Sequence, residues 1–327
     1  MEKVVIKTKV VGVDIGVEQT TYAIVDIRGN ILVKECFRTF DYPNLSDYVT
    51  KLSESILVMA EANGGYETVR SVGVSAPSAN YLSGCIENAG NLPWKGVIPL
   101  AAMLRDRMGL AVAVANDAHI TALGEKVYGS AHGMSDFIVI SLGHGGIGSC
   151  IFTNGVPHLG ANGFAGEIGH VCVEDHGRQC SCGSYGCLEE YSSARGLRKT
   201  AEEMLAASSE PSLLRQVKEL TPENIVNCCE QGDAMAIEVF RRAGTTLGVA
   251  LGNYATIFNP EAIILTGDLV KTGHWLIKPM SDAMDEVLFG NIKGKVQLLV
   301  SILDNSDRDV LGAGALAWDV KEYSLFK

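Results

Sequence analysis

Residues 136–156 read DFIVISLGHGGIGSCIFTNGV: an apolar strand, a loop built on Gly143, Gly145 and Gly146, a second apolar strand and an Asn154-Gly155 turn. The same order of parts opens the chain. Residues 9–35 give KVVGVDI, a short loop holding Gly16, then TTYAIVDI, the turn Arg28-Gly29-Asn30, and ILVKE. The two segments agree in layout and hardly in identity. Two β-units, each with a glycine loop after its first strand, predict a duplicated α/β architecture with a cleft between halves.

Between and after these units the pattern turns helical. Leu45, Val49, Leu52, Ile56 and Met59 share one helix face, followed by an apolar strand at 69–75, an irregular Gly/Pro/Asn segment, a short helix at 100–107 and a strand at 111–115. Residues 195–250 read as mostly helical. Gly244, Gly248 and Gly252, four apart, would let another element approach the backbone, and Asn259-Pro260 ends that helix. EAIILTGDL adds a strand and a glycine turn, and LGAGALAW closes with a small-residue helix.

Residues 166–189, GEIGHVCVEDHGRQCSCGSYGCLE, carry the densest chemistry. One imidazole, His170, and three thiols, Cys180, Cys182 and Cys187, form a donor set suited to a structural tetrahedral Zn²⁺. Glycines lie where a chain must turn sharply around a metal. Glu167 and Glu189 are surplus to a filled site, which frees them, with His170, to line a rigid hydrogen-bonding pocket suited to a polyol. The other cysteines show no spacing logic and read as small buried or incidental thiols.

Composition narrows the classes. At 327 residues the chain exceeds the usual single core, and two domains are expected, 1–118 with a returning helix at about 309–327, and 119–308 carrying the zinc cluster. A net charge of −11 disfavours an extended nucleic-acid interface. No apolar run reaches bilayer length, and no signal-peptide pattern precedes the first strand, so no membrane association and a cytoplasmic location are expected.

Four loops follow strands and carry polar groups: Asp14 in Val-Asp-Ile-Gly, Asn116-Asp117 after AVAVA, Gly143-His144-Gly145-Gly146 after ISL, and Thr266-Gly267-Asp268 after AIIL. Ligands of open α/β sheets bind beyond the carboxyl ends of strands. Glycine loops with bare N–H groups cradle phosphates, and an adjacent aspartate can hold Mg²⁺. Each loop alone reads equally as an ordinary turn. Asp117 is the candidate general base for a hydroxyl, with Asn116 suited to a second hydroxyl; a helix cap is the alternative role for Asp117, and the two are compatible.

Together these motifs resemble the ROK family of repressors and sugar kinases, from VGVDIG to LGAGALAW, most specifically in GANGFAGEIGH and CSCGSYGCLE. The resemblance implies a two-domain actin-like, ribonuclease H-like ATPase fold and ATP-dependent phosphorylation of a hexose or N-acetylhexosamine. It implies Asp117 as catalytic base and Asn116, Asp117, Glu167, His170 and Glu189 as sugar contacts. By the same resemblance His170, Cys180, Cys182 and Cys187 hold structural Zn²⁺. Asp14, Gly16, Gly143, His144, Gly145 and Gly267 serve Mg²⁺ and ATP, and a homodimer is expected.

The phosphate side departs from the family's pattern. Val17 and Glu18 replace a Gly-Thr pair, His144 stands in a Gly-Thr-Gly loop, Asp268 interrupts a glycine pair, and Ser78 follows Pro77 where glycine is common. Val17 is expected to restrict φ, and Glu18 to place negative charge near phosphate. A sugar-binding sensor without phosphotransfer is therefore the alternative. A DNA-binding repressor is disfavoured by the acidic charge and by a kinase-type domain that begins within the first ten residues.

Overall fold

The computed structural model describes residues 6–143, 146–304 and 306–320. The elements run β1 (Lys9–Ile15), β2 (Gln19–Asp26), β3 (Ile31–Arg38), α1 (Leu45–Ala62), β4 (Val69–Ser75), β5 (Ala79–Asn80), β6 (Cys85–Glu87), β7 (Val97–Ile98), α2 (Leu100–Met108), β8 (Ala111–Ala115) and α3 (Asp117–Tyr128). They continue as β9 (Phe137–Gly143), β10 (Gly146–Thr153), β11 (Val156–Pro157), α4 (Glu189–Ser192), α5 (Ala194–Ala207), α6 (Pro222–Glu230), α7 (Ala234–Phe258), β12 (Ala262–Thr266), α8 (His274–Val287), β13 (Gln297–Val300) and α9 (Arg308–Asp319).

The duplication expected from sequence is present in the strand orders. One sheet runs β3-β2-β1-β4-β8 and the other β11-β10-β9-β12-β13. In each, the first three strands pair antiparallel and the last two join parallel. The segment expected to be irregular after β4 instead forms a third sheet, β5-β6-β7. Those strands are too short to carry a period-2 signal.

The chain divides into two units, Met1–His132 with Leu159–Phe164 and Ile302–Lys327, and Gly133–His158 with Ala165–Ser301. The first has its core on one face of its sheet, where Val11, Val13, Ile24 and Val72 meet Tyr48, Leu52 and Ile56 of α1. Asn44 starts α1 by accepting from the backbone N–H groups of Ser46 and Asp47. In the second unit, Ile138, Ile140, Ile263 and Leu265 pack with Val239, Phe240 and Leu247 of α7. Gly248 of α7 lies so close to α8 that a Cβ would sit 2.1 Å from the Met280 carbonyl, the close approach expected of the glycine series. α7 ends at Asn259 in the left-handed region.

The opposite face of the first sheet is covered by α9, at backbone contact distance. A Cβ on Gly12 would sit 2.1 Å from the Val310 carbonyl oxygen, and one on Gly73 would sit 2.0 Å from that of Ala313. Ser71 Oγ donates to the Ala317 carbonyl at 2.6 Å further along. The helix thus runs antiparallel to β1 and β4, with its N-terminus at their carboxyl ends. Gly73→Ala should lower stability by about 3 kcal/mol, because backbone on both sides must move. The urea midpoint reads it, and an unchanged midpoint would refute the close packing.

Candidate functional site

Glu167 and His170 flank a short 3-10 turn, Ile168–His170, in the second unit. Ser149 ties this turn to β10: its hydroxyl donates to the Gly166 carbonyl and accepts from the Ile168 N–H. The loop carrying the cysteines folds back so that Cys172 and Cys187 pair as an isolated antiparallel bridge. Gly186 permits that return. Its φ is +71°, and a Cβ there would lie 1.8 Å from the Glu174 carbonyl.

One donor atom from each of His170, Cys180, Cys182 and Cys187 lies within 4.8 Å of the others. His170 Nδ1 is 3.6 Å from Cys180 Sγ, and Cys182 Sγ is 3.7 Å from Cys187 Sγ. Tetrahedral zinc with ordinary bond lengths sets neighbouring sulfurs about 3.8 Å apart and sulfur to nitrogen about 3.6 Å. Those two separations match the ion, and the donor set suits it in type. Burial pushes the Cys180 thiol up to about 12, whereas the Ser184 backbone N–H holds Cys182 below its usual value. A divalent cation is what would make thiolates of both.

Because Nδ1 faces the sulfurs, Nε2 of His170 is directed elsewhere on a side chain 36% exposed. Glu189, nearly buried, has Oε1 3.3 Å from Cys180 Sγ and 2.9 Å from Arg195. Arg195 also binds Glu190 at 2.5 Å. Glu190 is completed by Lys199 at 2.5 Å. Arg195 therefore orients Glu189. Sequence reading missed it because an arginine in the first turn of a helix looks like a solvated charge. Glu167 is exposed to solvent.

In the first unit, β8 delivers Asn116 and Asp117 to the start of α3. The cap is Asn116, whose Oδ1 accepts the His119 N–H at 2.8 Å. Asp117 is the first helical residue rather than the cap, and the helix begins one residue before Ala118. Its Oδ1 accepts only the adjacent Ala118 N–H, at 2.8 Å, among the hydrogen bonds described. The amide of Asn116 keeps its N–H₂ donors, and Asp117 keeps a carboxylate oxygen for other work.

Asp14, the penultimate residue of β1, lies beside Ser75 of β4, its register partner. The two aspartates are joined by a third that sequence reading did not find, Asp309 in the first turn of α9. Asp309 Oδ1 lies 3.5 Å from Thr121 Oγ1 of α3 and 3.2 Å from Arg308 Nε. Burial, then the charge of Asp309, raises the Asp14 carboxyl from 3.8 to about 7; Ser75 and Arg308 pull the other way, and Asp117 adds to the rise. Desolvation chiefly raises Asp117, with Asp309 adding and the Ala118 N–H and Arg308 opposing. Solvent reaches Asp117, so crowding by protein atoms rather than full enclosure causes its shift. Three carboxylates against one guanidinium leave this place short of positive charge.

The shift has a stability consequence. Folded Asp14 holds a proton that the unfolded chain releases above about pH 4, so its contribution is complete below that pH and disappears as pH rises through about 7. Metal-free protein should melt at lower temperature at pH 8 than at pH 5, and Asp14→Asn should flatten that part of the profile. A slope unchanged by the substitution would contradict the assignment.

The phosphate-side expectations fare unevenly. The non-glycine residues with positive φ among those described are Ser78, Asn88, Asn154, His176 and Asn259. Val17 is not one of them, so it bears no left-handed strain. Ser78, at φ 55°, does adopt the conformation that glycine would favour. Glu18 and Gln19 are exposed, and the Gly16 N–H closes the turn on the Gln19 carbonyl at 3.0 Å. Asp268 is paired with Lys271 at 2.7 Å. Gly143 and Asp268 share one narrow recess with Ala194, Pro222, Glu223 and Leu269, so two of the expected loops do meet within the second unit. His144 and Gly145 lie outside the described residues.

No described helix is long and apolar enough to cross a membrane. Among solved structures, a glucokinase from Streptomyces griseus in complex with glucose and AMPPNP superposes with a TM-score of 0.75 at 30% identity, covering 95% of this chain and 100% of that one. The glucokinase of Thermotoga maritima is 30% identical over 314 residues, 95% of this chain and 97% of the relative. The xylose repressor of Bacillus subtilis is 26% identical over 94% of this chain and 77% of its own length. Taken with the match of the ROK family model to residues 10–320, the duplicated sheets of the actin-like ATPase fold and the His-Cys loop establish that this chain belongs to the ROK family.

Proposed function

We propose that the protein transfers the γ-phosphoryl group of ATP to a hydroxyl of a hexose or N-acetylhexosamine. The observation that carries this reading is Asp117, presented at the start of α3 beside Asp14 with its carboxyl raised above the usual range. Such a carboxylate is a stronger base than an ordinary aspartate. Asn116, Glu167, His170 and Glu189 are the proposed sugar contacts, alternating donors and acceptors to suit hydroxyls.

In the reaction, Asp117 takes the hydroxyl proton as the sugar oxygen forms a bond to the γ-phosphorus. The bond from that phosphorus to the β–γ bridging oxygen breaks, and ADP leaves with the electron pair. Asp14 would hold Mg²⁺, which withdraws charge from the phosphates when bound. The N–H groups around Gly16, Gly143 and Gly267 would supply uncharged donors to phosphate oxygens. His170 and the three cysteines would hold zinc in a structural role, which would keep the imidazole placed for its Nε2 to meet the sugar.

The altered phosphate loops and the similarity to a xylose repressor favour a second reading, a sugar-responsive regulator without turnover. Coupled ADP release with Mg-ATP across hexoses and N-acetylhexosamines separates the two. Turnover of one sugar supports the kinase and names the acceptor. No turnover, together with a sugar-dependent rise in Tm, would overturn the kinase in favour of the regulator.

A further inference from the structure

At the end of the first sheet opposite Asp14, an open recess of about 480 Å³ lies entirely within the first unit. The chain entering β1, the turn after β2, the start of β4 and the last turns of α3 and α9 wall it, through Ile6, Ile27, Arg70, Val127, Tyr128 and Trp318. Small-molecule sites span roughly 300–1,000 Å³, so the size suits a compact ligand. The rim is apolar and exposed, with 75% of Ile6 and 72% of Ile27 open to solvent. Trp318 lies roughly 14 Å beyond Asp309 along the axis of α9. None of the residues proposed above for sugar or nucleotide lines the recess.

Two polar groups of the wall lack partners. Arg70 Nε and Tyr128 Oη are both buried, and neither meets a hydrogen-bond partner among the described residues. Arg70 Nη2 is occupied, donating to the Val320 carbonyl at 3.4 Å just past α9. The Trp318 indole N–H donates to the Asp26 carbonyl at 3.3 Å, so the indole offers the recess only its apolar body. The Tyr128 ring is set by the Arg28-Gly29-Asn30 turn, where a Cβ on Gly29 would lie 2.6 Å from Cε1. Burial, then the charge of Asp26, raises the Tyr128 phenol, which therefore stays a donor. The Asp26 carboxylate itself is held by the Arg28 and Asn30 N–H groups and the Asn30 side-chain amide. Charge is distinctive too. In a chain of net charge −11, the described lining holds Lys7 and Arg70 and no acidic residue. Unmet donors beside cations and apolar walls call for an acceptor that carries negative charge on an apolar body.

We infer that this recess is a binding site for a small aromatic carboxylate, whose ring packs on the Trp318 indole and the rim isoleucines and whose oxygens accept from Arg70 Nε and the Tyr128 hydroxyl. One carboxylate matches in number, two oxygens for two unmet donors. An aromatic body suits a wall that presents two aromatic rings, by offset or edge contact. Arg70 stands on β4 and Tyr128 on α3, so the ligand would join the sheet to both helices, and binding should raise Tm. The site does not depend on phosphotransfer at the other end of the sheet, and a protein without turnover would bind the same acid.

The test is calorimetric titration of the full chain with 3-phenylpropionate, and with 3-phenylpropan-1-ol as the uncharged control. Wild type should bind the acid about tenfold more tightly than the alcohol. A saturating excess of Mg-AMPPNP and glucose should leave that affinity unchanged. Tyr128→Phe keeps the ring on its turn and removes only the unpartnered hydroxyl. Its ligand-free Tm should hold or rise, and its affinity for the acid should fall about fivefold. Arg70→Met, which keeps an apolar stem, should erase the preference for the acid while the alcohol binds as before. No binding of the acid to wild type, equal affinity for acid and alcohol, or acid affinity kept in both variants would overturn the assignment. Displacement of the acid by Mg-AMPPNP or glucose would do the same, by placing it at the nucleotide or sugar site. A fall in the ligand-free Tm of Tyr128→Phe would also overturn it, by showing that the hydroxyl already has a partner.

Discussion

Asp117→Ala should abolish nearly all phosphotransfer while leaving a folded, and slightly more stable, protein. General-base catalysis contributes roughly 10²–10⁴ in rate, and the loss of kcat should fall in that range. The fold should survive because the cap of α3 belongs to Asn116, and because Asp117 bonds the neighbouring Ala118 N–H within its own turn. Removing it also relieves repulsion with Asp14 and Asp309, so Tm at pH 8 should rise or hold. Loss of rate with that thermal signature separates a chemical role from a structural one. The acid limb of the wild-type pH–rate profile should lie higher than for an unperturbed aspartate, since desolvation raises the carboxyl that must be ionised. A variant keeping more than about a tenth of wild-type kcat would sink the assignment.

Cys182→Ser should cost metal, stability and sugar affinity together. Cys182 is exposed, so exchanging its sulfur for oxygen disturbs little packing, and what is lost reports the ion. Structural zinc contributes upwards of 10 kcal/mol in small domains. Even a fraction of that, about 4 kcal/mol, lowers Tm by roughly 8–16 °C in a unit of this size. Bound zinc by metal analysis should fall from one per chain to near zero. Sugar affinity should fall with it, because Cys180 lies 3.3 Å from Glu189 Oε1 and 3.6 Å from His170. Metal lost with sugar affinity intact would show that the cluster and the sugar contacts are uncoupled.

The parts of the candidate site that were legible in sequence are those whose residues are neighbours in the chain. His170 and the cysteines span one short loop, so spacing alone indicated a shared ion. The duplicated sheets were legible because strand, glycine loop and strand recur in order at 9–35 and 136–156. Strands β5 to β7 escaped because two or three residues show no alternation, and β13 because its four residues are half-exposed at a sheet edge. Arg308 and Asp309 escaped for a different reason. They precede the small-residue run of α9 and look like helix-start charges, until Gly12 and Gly73 bring that helix against β1 and β4. Arg195 was hidden in the same way. Local chemistry is written in local sequence, whereas the charges assembled by packing are not.

The seating of α9 on the first sheet also bears on how the molecule is made. A ribosome delivers β1 some three hundred residues before the helix that covers its second face. Throughout that interval Gly12, Gly73 and the apolar strand around them have no cover, and contacts of such long sequence separation close slowly. The second unit, whose strands and helices are contiguous apart from its first hairpin, can mature first. The nascent chain therefore carries a half-finished sheet until α9 emerges, and Asp14, Asp117 and Asp309 come together only then.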